Sequence, residues 1–106
     1  MALTEVDDQT FASVVLASPV PVLVDFWATW CAPCIAIGHS LEELAPKFEG
    51  RVHIVKCNAE VAVETAATLG VRGLPHLAVF KGGKVVDSKM GNQSKAALEA
   101  LLGRYV

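Results

Sequence analysis

The stretch Val22-Leu23-Val24-Asp25-Phe26-Trp27-Ala28-Thr29-Trp30-Cys31-Ala32-Pro33-Cys34 decides how the rest of the chain is read. Its first six residues are aliphatic or aromatic apart from Asp25, the composition of a strand buried on both faces. The chain then leaves the strand and opens a helix. Cys34, Ile37, Leu41, Leu44 and Phe48 recur at intervals of three and four, and Glu42, Glu43, Lys47 and Glu49 supply polar positions. Pro33 falls within the first helical turn, where a missing amide hydrogen costs least.

Working outward, Asp7 to Ala17 reads as a first helix, with Asp7 as N-cap and Phe11, Val14 and Val15 at helical spacing. Ser18-Pro19-Val20-Pro21 ends it. Downstream, Val52 to Cys57 reads as a second core strand, and Val61 to Leu69 as a short helix stopped by Gly70. Arg72-Gly73-Leu74-Pro75 is a loop. His76 to Phe80 and Val85 to Lys89 form two strands around Lys81-Gly82-Gly83-Lys84, whose paired glycines suit a tight hairpin. Ser94 caps a last helix carrying Leu98, Leu101, Leu102 and Tyr105 on one face. The order β-α-β-α-β-β-α, with room for a short strand before the first helix, predicts an α/β fold: one central mixed sheet with helices on both faces.

The chain has 106 residues, enough for one domain spanning 1–106 and too few for two cores, and its hydrophobic fraction of 53% suffices for a buried interior. A net charge of −2 without runs of like charge removes the electrostatic reason to expect nucleic acid. No apolar run approaches the ~20 residues needed to span a bilayer. The first eight residues lack a basic segment followed by an apolar stretch, so a cytoplasmic location is expected. In that compartment cysteines are read as chemistry before structure, and an odd count of three argues against a structural disulfide framework.

Cys31 and Cys34 have the two-residue gap that permits a disulfide across the first turn of a helix. Zinc knuckles use the same gap, but a structural zinc needs four ligands. The other candidates, Cys57, His39, His53 and His76, form no second knuckle, so no metal is expected. Exposed amides and the positive end of the helix dipole stabilise an anion at the first turn. Cys31 should therefore ionise more easily than a free thiol near ~8.5 and be the exposed nucleophile. Cys34, one turn in and facing the core, should be buried and protonated until it resolves the mixed disulfide.

Val24-Asp25-Phe26-Trp27-Ala28, Trp30-Cys31-x-Pro33-Cys34, Lys56, Gly73-Leu74-Pro75, Phe80-Lys81-Gly82-Gly83 and Gly91, in this order along almost the whole chain, resemble the thioredoxin family. The resemblance implies the thioredoxin fold, with the cysteine pair at the N-terminus of the second helix. It also implies that Asp25 is a carboxylate beneath the pair, acting as the base for Cys34, with Lys56 as its partner. An apolar strand should push that carboxyl's pKa upward. Pro75 matches the family's cis-proline facing the pair, and Gly73 and Leu74 would offer backbone to an extended substrate. Trp30 is assigned to the docking surface and Trp27 to packing, and Gly91 gives room for a partner chain. The implied activity is protein-disulfide reduction, in electron transport and cell redox homeostasis. No cofactor is expected on the chain, a monomer, and electrons are expected from NADPH through a thioredoxin reductase.

Four features depart from the family pattern or stand outside it. Ala32-Pro33 replaces the usual Gly-Pro between the cysteines, where the dipeptide tunes redox potential. His39 stands where a kinking proline is common and is read as a surface histidine, with Gly38 keeping a bend available. His76 follows Pro75, in place of a frequent threonine. It is read as a hydrogen-bonded strand histidine, although an influence on Cys34 or Asp25 would add pH dependence near neutrality. Cys57 follows Lys56 on one strand, so it points to the opposite face as a buried, inert thiol. Two rival functions are a disulfide isomerase or oxidase, and a thioredoxin-fold subunit that binds partners without using its thiols.

Overall fold

The computed structural model describes residues 3–106. Five strands form one mixed sheet: β1 (Thr4–Val6), β2 (Val22–Trp27), β3 (His53–Asn58), β4 (His76–Lys81) and β5 (Lys84–Met90), in the order β1-β3-β2-β4-β5. β3 runs parallel to both β1 and β2, whereas β4 is antiparallel to β2 and β5. Parallel β2 and β3 require a long crossover, and α1 (Ala32–Phe48) supplies it. β4 and β5 need only the hairpin at Gly82-Gly83, both at positive φ (61° and 80°), which such a two-residue turn demands.

The central strand β2 is buried along Val22 to Phe26, as its unbroken apolar run predicts. Its residues alternate between two cores. On one face Leu23 packs with Ile37 and Leu41 of α1 and with Leu98 and Leu102 of α3 (Lys95–Gly103). On the other, Val22, Val24 and Phe26 pack with Phe11 and Val15 and with Ala62, at the start of α2 (Val63–Thr68). Helices therefore cover both faces, and the expected fold class is the one observed.

The expected N-terminal helix takes a different form. Asp7 Oδ1 accepts the amides of Gln9 and Thr10 at 3.0 and 3.1 Å and its carbonyl takes the Phe11 amide at 2.9 Å, so the expected N-cap is in place. A π-type segment over Ala12–Leu16 follows, in which the Ala17 amide donates five residues back to the Ala12 carbonyl. At the other end, Ser94 caps α3 by accepting the Ala97 amide, as expected. Tyr105 lies beyond that helix and donates its hydroxyl to Asp87 of β5 at 3.0 Å.

Candidate active site

α1 begins where β2 ends, and the cysteine pair occupies the join. Cys31 is the N-cap, with extended backbone, and its Sγ accepts the Cys34 amide at 3.3 Å. An N-cap oxygen usually takes that amide; here a sulfur does. Ala32 and Pro33 are the first two helical residues, and Ile35 N–H donates to the Cys31 carbonyl at 3.2 Å. Cys31 and Cys34 are joined as a disulfide with Cα atoms 5.3 Å apart.

Both sulfurs sit in a small cluster with Ala28, flanked by Trp27 and Leu74. Cys31 is 4% exposed and Cys34 1%, so the expected asymmetry is present but slight, and Cys31 is not openly exposed in this oxidised state. Its N-cap position turns the sulfur back onto the helix end, and the flanking residues cover it. Trp30 next to it is 69% exposed, a large apolar surface beside the pair.

The loop opposite carries Gly73 and the half-buried Leu74, followed by Pro75, whose bond to Leu74 is cis. The Pro75 carbonyl accepts the Gly91 amide at 3.0 Å, which ties the end of β5 to this loop. Gly91 has φ +83°, a conformation that side chains disfavour, and nothing lies within 4 Å of where a Cβ would stand.

Asp25 lies on the α1 face of β2, two residues before Trp27. It is fully buried, and neither carboxylate oxygen accepts a hydrogen bond from the described residues. Burial pushes its pKa up to about 7; Lys56 pulls it down and Glu5 pushes it up. Lys56 stands directly opposite Asp25 in the β2–β3 register, so the two share a face. Its ammonium makes no ion pair with Asp25 but lies 4.3 Å from the centre of the Trp27 ring.

The remaining residues lie away from this centre. His76 pairs with Phe26, one residue out of step with Asp25, and packs edge-on against the Phe26 ring on the other face of the sheet. Its Nδ1 is buried without a hydrogen-bond partner among the described residues, unlike the hydrogen-bonded histidine expected, and burial lowers its pKa. Cys57 is free and fully buried in the core of that same face, where burial pushes its thiol up to about 12. His39 is exposed on α1, 3.8 Å from Glu42. Among the described residues no group of three or more His, Cys, Asp or Glu side chains is arranged to hold a metal ion.

The thioredoxin family model matches residues 2–104. The chain is 41% identical over 105 residues to Thioredoxin 1 of Nostoc sp., covering 99% of this chain and 98% of the relative. Thioredoxin of Haemophilus influenzae is 43% identical over 101 residues, covering 95% and 94%. The chain belongs to the thioredoxin family. Thioredoxin M-type, chloroplastic, of Chlamydomonas reinhardtii is 41% identical over 101 residues, with 95% of this chain and 72% of the relative covered. As a thioredoxin-family member the chain is a protein-disulfide reductase, and the Cys31–Cys34 disulfide is its redox-active pair. Glu5 is the residue of this region that sequence reasoning missed. Its Oε2 accepts the Trp27 indole N–H at 3.0 Å and the Asn58 amide at 3.1 Å. An acid on a three-residue edge strand carries no local signal of such a partner.

Proposed function

We propose that the chain, as one domain over 1–106, works as a cytoplasmic monomer that transfers electrons from NADPH, through a thioredoxin reductase, to disulfides of other proteins. The carrying observation is the Cys34 amide directed at Cys31 Sγ on the end of α1. When the pair is reduced, the same amide and the helix dipole stabilise a Cys31 thiolate, which a thiol in an apolar site would otherwise resist.

Cys31 thiolate attacks one sulfur of the substrate disulfide and expels the other as a thiolate. Asp25 takes the Cys34 proton; a buried carboxyl pushed up to about 7 has the affinity for that task near neutral pH. Lys56 tunes Asp25 through space. Cys34 thiolate then attacks Cys31 Sγ, breaking the mixed disulfide and releasing the second substrate thiolate. Two electrons leave the dithiol, and the reductase restores them. Trp30, Gly73, Leu74, Pro75 and Gly91 form the docking rim, where a substrate segment would pair with backbone. Ala32 and Pro33 set the redox poise. The buried Cys57 thiol suits a compartment in which free thiols stay reduced, in keeping with cytoplasmic redox homeostasis.

Insulin reduction with NADPH and a thioredoxin reductase tests this function. NADPH oxidation is expected only when chain, reductase and insulin are all present, and absence of turnover contradicts it. Cys34→Ser should abolish turnover and trap substrates on Cys31, whereas a binding subunit would keep its partner without either thiol.

A further inference from the structure

Glu5 lies on the edge strand β1, outside the motifs that carry the family resemblance, yet it is built into the polar side of the site. It stands opposite Lys56 in the β1–β3 register, and Lys56 stands opposite Asp25 in the β3–β2 register, so the three share one face across three parallel strands. The Glu5 carboxylate accepts two hydrogen bonds: the one from the Asn58 backbone anchors it on β3, and the one from the Trp27 indole ties the edge of that ring to it. That ring carries the Lys56 ammonium. From above, α1 contributes Gly38, where an added Cβ would come within 3.6 Å of Lys56 Nζ. The ammonium thus lies between an indole face and helix backbone, and the indole is held by Glu5.

Few other charges face Asp25. Leu77 of β4 is opposite it and apolar, and Lys89 of β5 stands one strand further out on the same row. The buried face of α1 brings Cys34, Ile37 and Gly38, while His76 is on the far face. Lys56 and Glu5 are the side chains whose charge acts on the buried carboxyl, with opposite signs.

We propose that Glu5 is a positioning residue for the resolving step: it holds Trp27, Trp27 holds the Lys56 ammonium, and this chain sets how readily Asp25 accepts the Cys34 proton. The consequence for Cys34 rests on the assignment of Asp25 as its base. Two functions of Glu5 separate by substitution. Glutamine keeps an oxygen acceptor for both N–H groups and removes the charge; alanine removes both.

The test follows the Asp25 carboxyl carbon and the Trp27 indole N–H by NMR across pH in Glu5→Gln, Glu5→Ala and the unsubstituted chain. In Glu5→Gln the indole resonance should stay in place and the Asp25 midpoint should fall by roughly a few tenths of a pH unit, because a like charge has gone. In Glu5→Ala the indole resonance should move, and the Asp25 midpoint should lie above that of Glu5→Gln, because Lys56 is no longer held. The pH profile of mixed-disulfide resolution should follow the same order. Identical Asp25 midpoints in the two variants overturn the proposal, whether or not the indole moves. An Asp25→Asn chain that keeps the original resolution profile overturns the base assignment instead, and the NMR comparison then judges the positioning separately.

Discussion

Asp25 is the one polar or charged residue buried among the described residues. A carboxyl with no hydrogen bond from the described residues, buried on the α1 face of the sheet, keeps its proton up to about 7, whereas the unfolded chain releases it near ~3.9. Unfolding therefore releases a proton between those values, and stability falls as pH rises through that window. Asp25→Asn should match the unsubstituted chain at pH 4 and exceed its stability at pH 8, by on the order of 4 kcal/mol, in urea denaturation. Equal pH slopes would mean that the carboxyl is not held protonated. The acid and its place in an apolar run were legible in the sequence, as were the burial of Cys57 and the exposure of Trp30. The covering of Cys31, the seat of Lys56 on Trp27 and the grip of Glu5 on that ring were not. Each depends on where side chains from different strands meet, which a single strand's pattern does not encode.

At the scale of elements, strand alternation places His76 with Phe26 and Asp25 with Leu77, on opposite faces. His76→Thr should therefore leave the pH–rate profile between 6 and 8 unchanged, and an altered profile would show coupling across the sheet. The helix start matters in a graded way. Ala32 is the first residue of α1, and alanine exceeds glycine in helix preference by at most ~1 kcal/mol. With ~30 mV per 1.4 kcal/mol for a two-electron couple, Ala32→Gly should shift the potential by no more than about 20–30 mV in a glutathione titration. A larger shift would mean that the dipeptide acts through something other than helix stability. Element order and the Asp7 and Ser94 caps were legible because caps, turn glycines and apolar periods are local signals, whereas a sulfur cap at Cys31 was not. The N-terminal helix was legible in its cap but not in its winding: the Ala17 amide reaches back five residues to the Ala12 carbonyl, a π-type turn that apolar spacing does not distinguish from an α-helix.

For the whole molecule, the sheet divides two cores and brings the end of β2, the start of α1, the cis-proline loop and Gly91 to one place. Leu41 is fully buried in the core between α1, α3 and the sheet. Leu41→Ala should cost about 2–5 kcal/mol in denaturant unfolding, with the cysteine chemistry of the remaining folded fraction unchanged. The proposed function then depends on the end of α1 activating one sulfur over the other. Site-resolved alkylation of the reduced chain against pH, read by mass spectrometry, measures this directly. Cys31 should react with a midpoint below the ~8.5 of a free thiol and at least about tenfold faster than Cys34 at pH 7. Equal rates at the two sulfurs, or a Cys31 midpoint at or above that of a free thiol, would contradict the account.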